Sequence, residues 1–199
     1  MGRKQQGEST RHLILNHAMK LASSIGFENL SIGHLAEELK LSKSGLFAHF
    51  RSKEALQIQV LETAAAAFSQ EVVRPAVKAP RGLPRLQALF DRWMEWGKNR
   101  FEGGGCVFIT ASIEWDDRNG PVRECVLRLQ KEWITVMRTV AQTAIDQGEF
   151  RKDTDTAAFA QDLYGIILSF HYFARLIQDP QAEQRARASL ERLIASAKV

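Results

Sequence analysis

The sequence predicts an all-α protein. A three-helix helix-turn-helix domain is expected over residues 1–53, and a C-terminal helical bundle over residues 54–199. Three observations carry this. Apolar residues recur three and four apart in nearly every long segment, the period of one helix face, and together they mark about nine helices. No alternation of apolar and polar residues runs long enough for a strand. Ser, Thr or Asp opens the segments and Gly or Pro closes them, as helix caps and stops do. A chain of 199 residues can bury a core in one or two domains.

Residues 1–8 are polar and expected to be mobile. Arg3 and Lys4 read equally as a basic arm for a minor groove or as a solvated tail. Ser9 or Thr10 caps the first helix, Ile14, Ala18, Leu21 and Ile25 form its buried stripe, and Gly26 stops it. Phe27 and Leu30 fill the joint. Ser31 caps a second helix with Ile32, Leu35, Ala36 and Leu39 on one face, and Lys40 and Leu41 interrupt the pattern. Ser42 caps a third, with Leu46, Phe47 and Phe50 expected inward and Lys43, Ser44, Gly45 and His49 outward. Ser52 caps a fourth, running to about residue 73, with Leu56, Val60, Ala64 and Ala67 or Phe68 inside. Pro75, Pro80, Gly82 and Pro84 form a connector that cannot be helical throughout.

A fifth helix has Leu86, Leu89, Phe90, Trp93 and Gly97 along one side, with Trp96 beside it, and ends at the run FEGGGC, a flexible joint. Residues 106–115 make a short helix with Phe108, Ile109 and Ile113, and DDRNGP is a turn. Residues 122–147 place Val126, Leu129, Trp133, Val136, Met137 and Val140 at helical spacing, closed by Gly148. Asp153 to Asp155 cap the next helix, which is apolar nearly all round between residues 163 and 177 and is broken by Pro180. A helix apolar on every side must be covered on every side. One side can meet its own core; the other needs a second chain. The last helix offers Ala186, Leu190, Leu193, Ile194 and Ala197, so the two predict a four-helix homodimer interface in which Ile167 and Leu190 are candidate positions.

Two short helices joined by a tight turn, the second opening on small polar and basic residues, form a helix-turn-helix pattern whose second helix can enter a major groove. Lys53, in the first turn of the fourth helix, can join the free N–H groups there in holding a phosphate. Residues 35–56, LAEELKLSKSGLFAHFRSKEAL, resemble the TetR family of transcriptional regulators, and the likeness reaches back to about Arg11. Two departures stand out. Lys40 occupies a turn position where the family most often has Gly, which demands an unusual backbone angle of a non-Gly residue. Phe47 stands where the family usually has Tyr, which removes one hydroxyl contact to phosphate. The resemblance implies a dimeric regulator, most often a repressor, released from a palindromic double-stranded DNA operator by a small effector. Ser31, Ser42, His49 and Lys53 are expected to hold phosphates, with Phe47 at the family's phenol position. Lys43, Ser44 and the backbone at Gly45 are expected to read bases.

Charge agrees with that placement. Residues 1–53 carry eight Lys/Arg and four Asp/Glu, while the remainder carries 19 of each sign, so the excess of +4 sits in the first quarter. The two cysteines, Cys106 and Cys125, lie in apolar helical patterns. With no secretory signal before the first helix, a reduced cytoplasmic chain with buried thiols is expected, a redox pair being the less common alternative. No apolar run reaches the length of a membrane span.

All four Trp and most Phe lie beyond residue 80. Core filling explains most of them, but several buried Trp N–H groups in a small bundle also fit a ligand pocket. Its candidates are Phe90, Trp93, Trp96, Phe108, Trp115, Trp133, Phe170 and His171, with an apolar or aromatic effector. No cofactor or metal is expected: Glu114, Asp116 and Asp117 read as helix-end and turn residues, and no His/Cys cluster has zinc spacing. No nucleophile elbow, HExxH, dinucleotide fingerprint or paired-Cys motif marks an enzyme. A small-molecule-binding enzyme or a protein-binding scaffold remains the alternative.

Overall fold

The computed structural model describes residues 2–99 and 105–199, with side chains described for residues 10–97 and 105–199. The side chains of Arg3 and Lys4 and most of the FEGGGC joint lie outside these. The helices are α1 (Gly2–Ile25), α2 (Ile32–Leu39), α3 (Lys43–Phe50), α4 (Lys53–Phe68), a π-helical turn (Ser69–Val73), α5 (Arg74–Lys78), α6 (Leu83–Asn99), α7 (Val107–Glu114), α8 (Pro121–Asp146), α9 (Thr156–Arg175) and α10 (Ala182–Ala197). Among the described residues there is no strand, only a single antiparallel bridge between Phe150 and Lys198. The all-α expectation holds.

Two boundaries differ from the sequence reading. α1 starts at Gly2, so Ser9 and Thr10 are helix interior and not caps, and residues 2–8 are helical rather than a mobile tail. The fourth helix does not run unbroken to residue 73. Pro75 lacks an N–H, and its ring would meet the carbonyl four residues back. The chain answers with the wide turn Ser69–Val73 and restarts as α5 with Pro75 in its first turn, where a missing N–H costs nothing.

The chain forms two compact units, Met1–Phe68 with Lys98–Leu129 and Ser69–Gly97 with Gln130–Val199. In the first, α4 packs on α1, α3 and α7, and α2 packs on α3. Its core includes Ala18, Phe27, Leu30, Leu35, Leu46, Phe50, Leu56 and Leu61. Phe68 and Phe108 meet edge to face at 5.6 Å. Cys106 and Cys125 are both buried and unbridged, and burial, then Glu62, pushes the Cys125 thiol up. On α7 Ile109 is buried and Ile113 is 69% exposed.

In the second unit α9 packs along α10. Asp155 caps α9 through the N–H groups of Ala157 and Ala158 at 2.8 and 3.2 Å. Phe159, Ala160, Leu163 and Ile167 are buried, while Leu168, Tyr172, Phe173, Leu176 and Ile177 are exposed. Thus one side of α9 is covered by its own chain and the opposite side is not. Ile167 and Leu190 are 2% and 1% exposed, so both belong to the core of the single chain rather than to an interface. Between α9 and α10 lies an open groove of about 670 Å³ lined by Ile166, Phe170, Phe173, Ala186 and Leu193 among others. No described helix is long and apolar enough to cross a membrane.

Candidate nucleic-acid interface

The three serine caps act as their positions require. Ser31 Oγ accepts from the His34 N–H and Ser42 Oγ from the Gly45 N–H, both at 3.1 Å. Ser52 Oγ accepts from the Ala55 N–H at 3.1 Å. Each cap fixes where its helix begins, and so which residues face outward. The turn between α2 and α3 takes its direction from Lys40, at φ 53 and ψ 39, whose N–H donates to the Ala36 and Glu37 carbonyls. A lysine thus holds the left-handed position that glycine would occupy at less cost.

On α3, Leu46 and Phe50, one turn apart, are each 1% exposed. Phe47 is 58% exposed, which corrects its expected inward direction. One residue on from Leu46 the helix has turned by about 100°, away from the buried face. The outward set is therefore Ser42, Lys43, Ser44, Gly45, Phe47 and His49, all exposed. Lys43 stands 3.2 Å from Glu37 with both side chains about two-thirds exposed, a pair that water and salt readily loosen. A Cβ on Gly45 would lie 2.9 Å from Ser42 Oγ, so glycine leaves room for the cap. His49, in the last turn, lies beside Phe50 with ring centroids 6.2 Å apart.

Lys53, expected to face a phosphate, is bonded within the chain. Its ammonium donates to the Glu28 carbonyl at 2.5 Å and stands 3.3 Å from Glu28 Oε1. Glu28 Oε2 accepts from Arg118 at 2.5 Å. The backbone of residues 26–28 is bracketed as well. Gly26, at φ +82, turns the N–H groups of Phe27 and Glu28 toward Glu114, whose two carboxylate oxygens accept them at 3.1 and 2.9 Å. Consecutive N–H groups aimed at one anion form a nest. Gln57, 2% exposed on α4, donates to the Phe27 carbonyl at 2.7 Å. The sequence reading missed Glu114, Arg118 and Gln57 as supports of the reading head. Their partners lie 87, 90 and 30 residues away, and only a polar residue inside an apolar stripe, Gln57, left a local sign.

The eight aromatic and histidine candidates for a pocket divide between the two units. Phe90, Trp93, Trp96, Trp133, Phe170 and His171 belong to the second unit, where Trp93 meets Phe170 edge to face at 5.8 Å. Phe108 and Trp115 belong to the first unit. Trp115 packs edge-on against Phe27 at 5.8 Å under the Arg118 guanidinium, so its ring serves the core beneath residues 26–28. His171 is half-buried, and burial, then the charge of Arg175, lowers its pKa.

Residues 14–60 match the family profile of bacterial regulatory proteins of the tetR family, and residues 82–190 match that of the tetracyclin repressor-like C-terminal domain. The chain is 21% identical over 195 residues to the HTH-type transcriptional repressor NemR of Escherichia coli, covering 97% of this chain and 98% of that one. A TetR transcriptional regulator from Chloroflexus aurantiacus has the same fold, with a TM-score of 0.83 at 24% identity over 96% of this chain and 95% of that one. AibR, solved in complex with isovaleryl coenzyme A and operator DNA, gives 0.71 at 20% identity over 88% and 93%. The capped helix-turn-helix lies within the first match and the second covers more than half of the chain: this protein belongs to the TetR family and is a DNA-binding transcriptional regulator.

Proposed function

We propose that the chain is a homodimeric repressor of the cytoplasm, released from a palindromic operator when a small apolar or aromatic effector binds. The observation that carries the reading is the direction of α3. Leu46 and Phe50 anchor it, and its first turn presents Lys43, Ser44 and Gly45 outward from the Ser42 cap. Short donors and one cation at a helix start suit base edges in a major groove. Ser31, Ser42, His49 and Lys53 hold phosphates on either side, and Phe47 lies against the backbone without a hydroxyl to donate. Residues 1–53 act as the reading domain and residues 54–199 serve effector binding and association.

The uncovered side of α9 and the groove beside α10 support association with a second copy. A dimer presents two recognition helices, so its operator holds two inverted half-sites about one helical turn apart. The effector site is built on the candidates of the second unit, Phe90, Trp93, Trp96, Trp133, Phe170 and His171, of which Trp93 and Phe170 are in contact. AibR, whose structure holds both a ligand and operator DNA, is the precedent for two ligands on one such fold. An effector that favours the non-binding spacing of the recognition helices weakens DNA binding by the factor that DNA weakens effector binding. The lever is α4, which begins at Lys53 and packs on α1, α3 and α7.

Selection of bound duplexes from a random pool tests this. Enrichment of an inverted repeat is the expected result. Binding without sequence enrichment would sink the regulator reading in favour of a scaffold or an enzyme.

A further inference from the structure

The trio Lys53, Glu28 and Arg118 joins a cation expected at the DNA backbone to an acid of its own chain. Glu28 is held on three sides. Its N–H donates to Glu114 Oε2 at 2.9 Å, its carbonyl takes Lys53 at 2.5 Å, and its carboxylate lies between Lys53 at 3.3 Å and Arg118 at 2.5 Å. Arg118 is placed in turn over the Trp115 ring, 5.7 Å from its centroid. The Arg118 bond, then Lys53, lowers the Glu28 carboxyl below its ordinary range, so the group keeps its charge in neutral and mildly acidic solution. Lys53 remains 40% exposed, so its ammonium can turn outward from this pair.

We propose that Glu28 is a built-in competitor of the DNA backbone for Lys53, with Arg118 as the residue that positions it. In the free protein the carboxylate and carbonyl of Glu28 occupy the ammonium; on DNA a phosphate oxygen takes their place, and Glu28 stays with Arg118. The competition lowers affinity for all sequences alike, because phosphate contacts carry no base information. The inference rests on the DNA-binding reading above and on Lys53 facing a phosphate in the complex.

The test uses the full chain, a duplex recovered from the random-pool selection and a mixed-sequence duplex of equal length. E28Q should tighten binding to both by roughly two- to fivefold, the range of an exposed ion pair. K53Q should weaken both and make the salt dependence shallower by about 0.9 in the logarithmic slope. The deciding variant is E28Q/K53Q. If Glu28 acts through Lys53, adding E28Q to K53Q gives no gain. A gain of undiminished size in the K53Q background means a general effect of removing a negative charge, and overturns the proposal, as does an E28Q protein that binds no tighter than wild type. Should E28Q lose folded structure by circular dichroism, E28A takes its place with the same expected gain. A wild-type chain that binds neither duplex fails the regulator reading itself, an outcome separate from these.

Discussion

Residues 26–30 and the outer side of α9 are organised by different physics. The first is a short joint, seated by the buried Phe27 and Leu30, in which the backbone groups of Phe27 and Glu28 are met by Glu114, Gln57 and Lys53. Hydrogen bonds are directional and lose strength steeply with angle. Such a joint fixes orientation, which the entry into α2 and the reading helix after it require. The second is an apolar surface bearing Tyr172, Phe173, Leu176 and Ile177. Burial of apolar area is non-directional and grows with area. Such a surface supplies association energy while leaving the angle of association to shape. One chain thus separates the fixing of its helix-turn-helix from the surface through which we propose that two copies pair.

The largest expected effect tests the apolar side. Phe173→Glu places a charge on the exposed side of α9, at the groove beside α10. We expect a monomer by light scattering, with affinity for a two-half-site operator reduced roughly 10²-fold or more because the second site is no longer tethered. A dimer of unchanged affinity would locate the interface elsewhere. Ile167 and Leu190 are unsuited to this test, since both are buried within the chain and a charge at either would unfold it.

Next is the reading head. Lys43→Ala should cost about 1–3 kcal/mol on operator and relax preference at one base position in each half-site. Its pairing with Glu37 is exposed on both sides, so stability should hardly change. Lost affinity with full base discrimination would make Lys43 a phosphate contact.

Phe47→Tyr is smaller. With the ring 58% exposed, an added hydroxyl meets solvent or DNA rather than the core, so melting temperature should be unchanged. A new bond to phosphate is worth up to about 1.5–3 kcal/mol, less what water already supplied, and operator and scrambled DNA should gain alike. A gain on operator alone would place residue 47 against a base.

The smallest effect belongs to His171. Its pKa is lowered from 6.5 in the folded chain, so the unfolded chain binds the proton first as pH falls. Stability should therefore decline below about pH 6.5, with a slope bounded at about 1.4 kcal/mol per pH unit for one proton. His171→Asn should flatten that part of the stability profile, measured by urea unfolding at a series of pH values. An unaltered profile would assign the decline to another group.

The sequence by itself determined the all-helical class, the serine caps around the helix-turn-helix and the buried side of α3. Ser31, Ser42 and Ser52 each lie where a local bond one turn ahead is decisive, and periodicity buried Leu46 and Phe50. The resemblance to the family also foretold the left-handed turn at Lys40, since glycine is the usual residue at that position. Only the tertiary structure decided what covers each apolar face and where each charge goes. Periodicity gives a helix its apolar side but not the neighbour that meets it. Hence Ile167 and Leu190 turned out to be core, Trp115 the partner of Phe27, and Phe47 exposed beside two buried neighbours. Ion pairs between residues far apart in sequence leave no local pattern at all. That Lys53 meets Glu28, and that Arg118 holds Glu28 in turn, follows from the packing of α4 and α7 around one short loop, because only the folded chain brings those charges within a few ångströms.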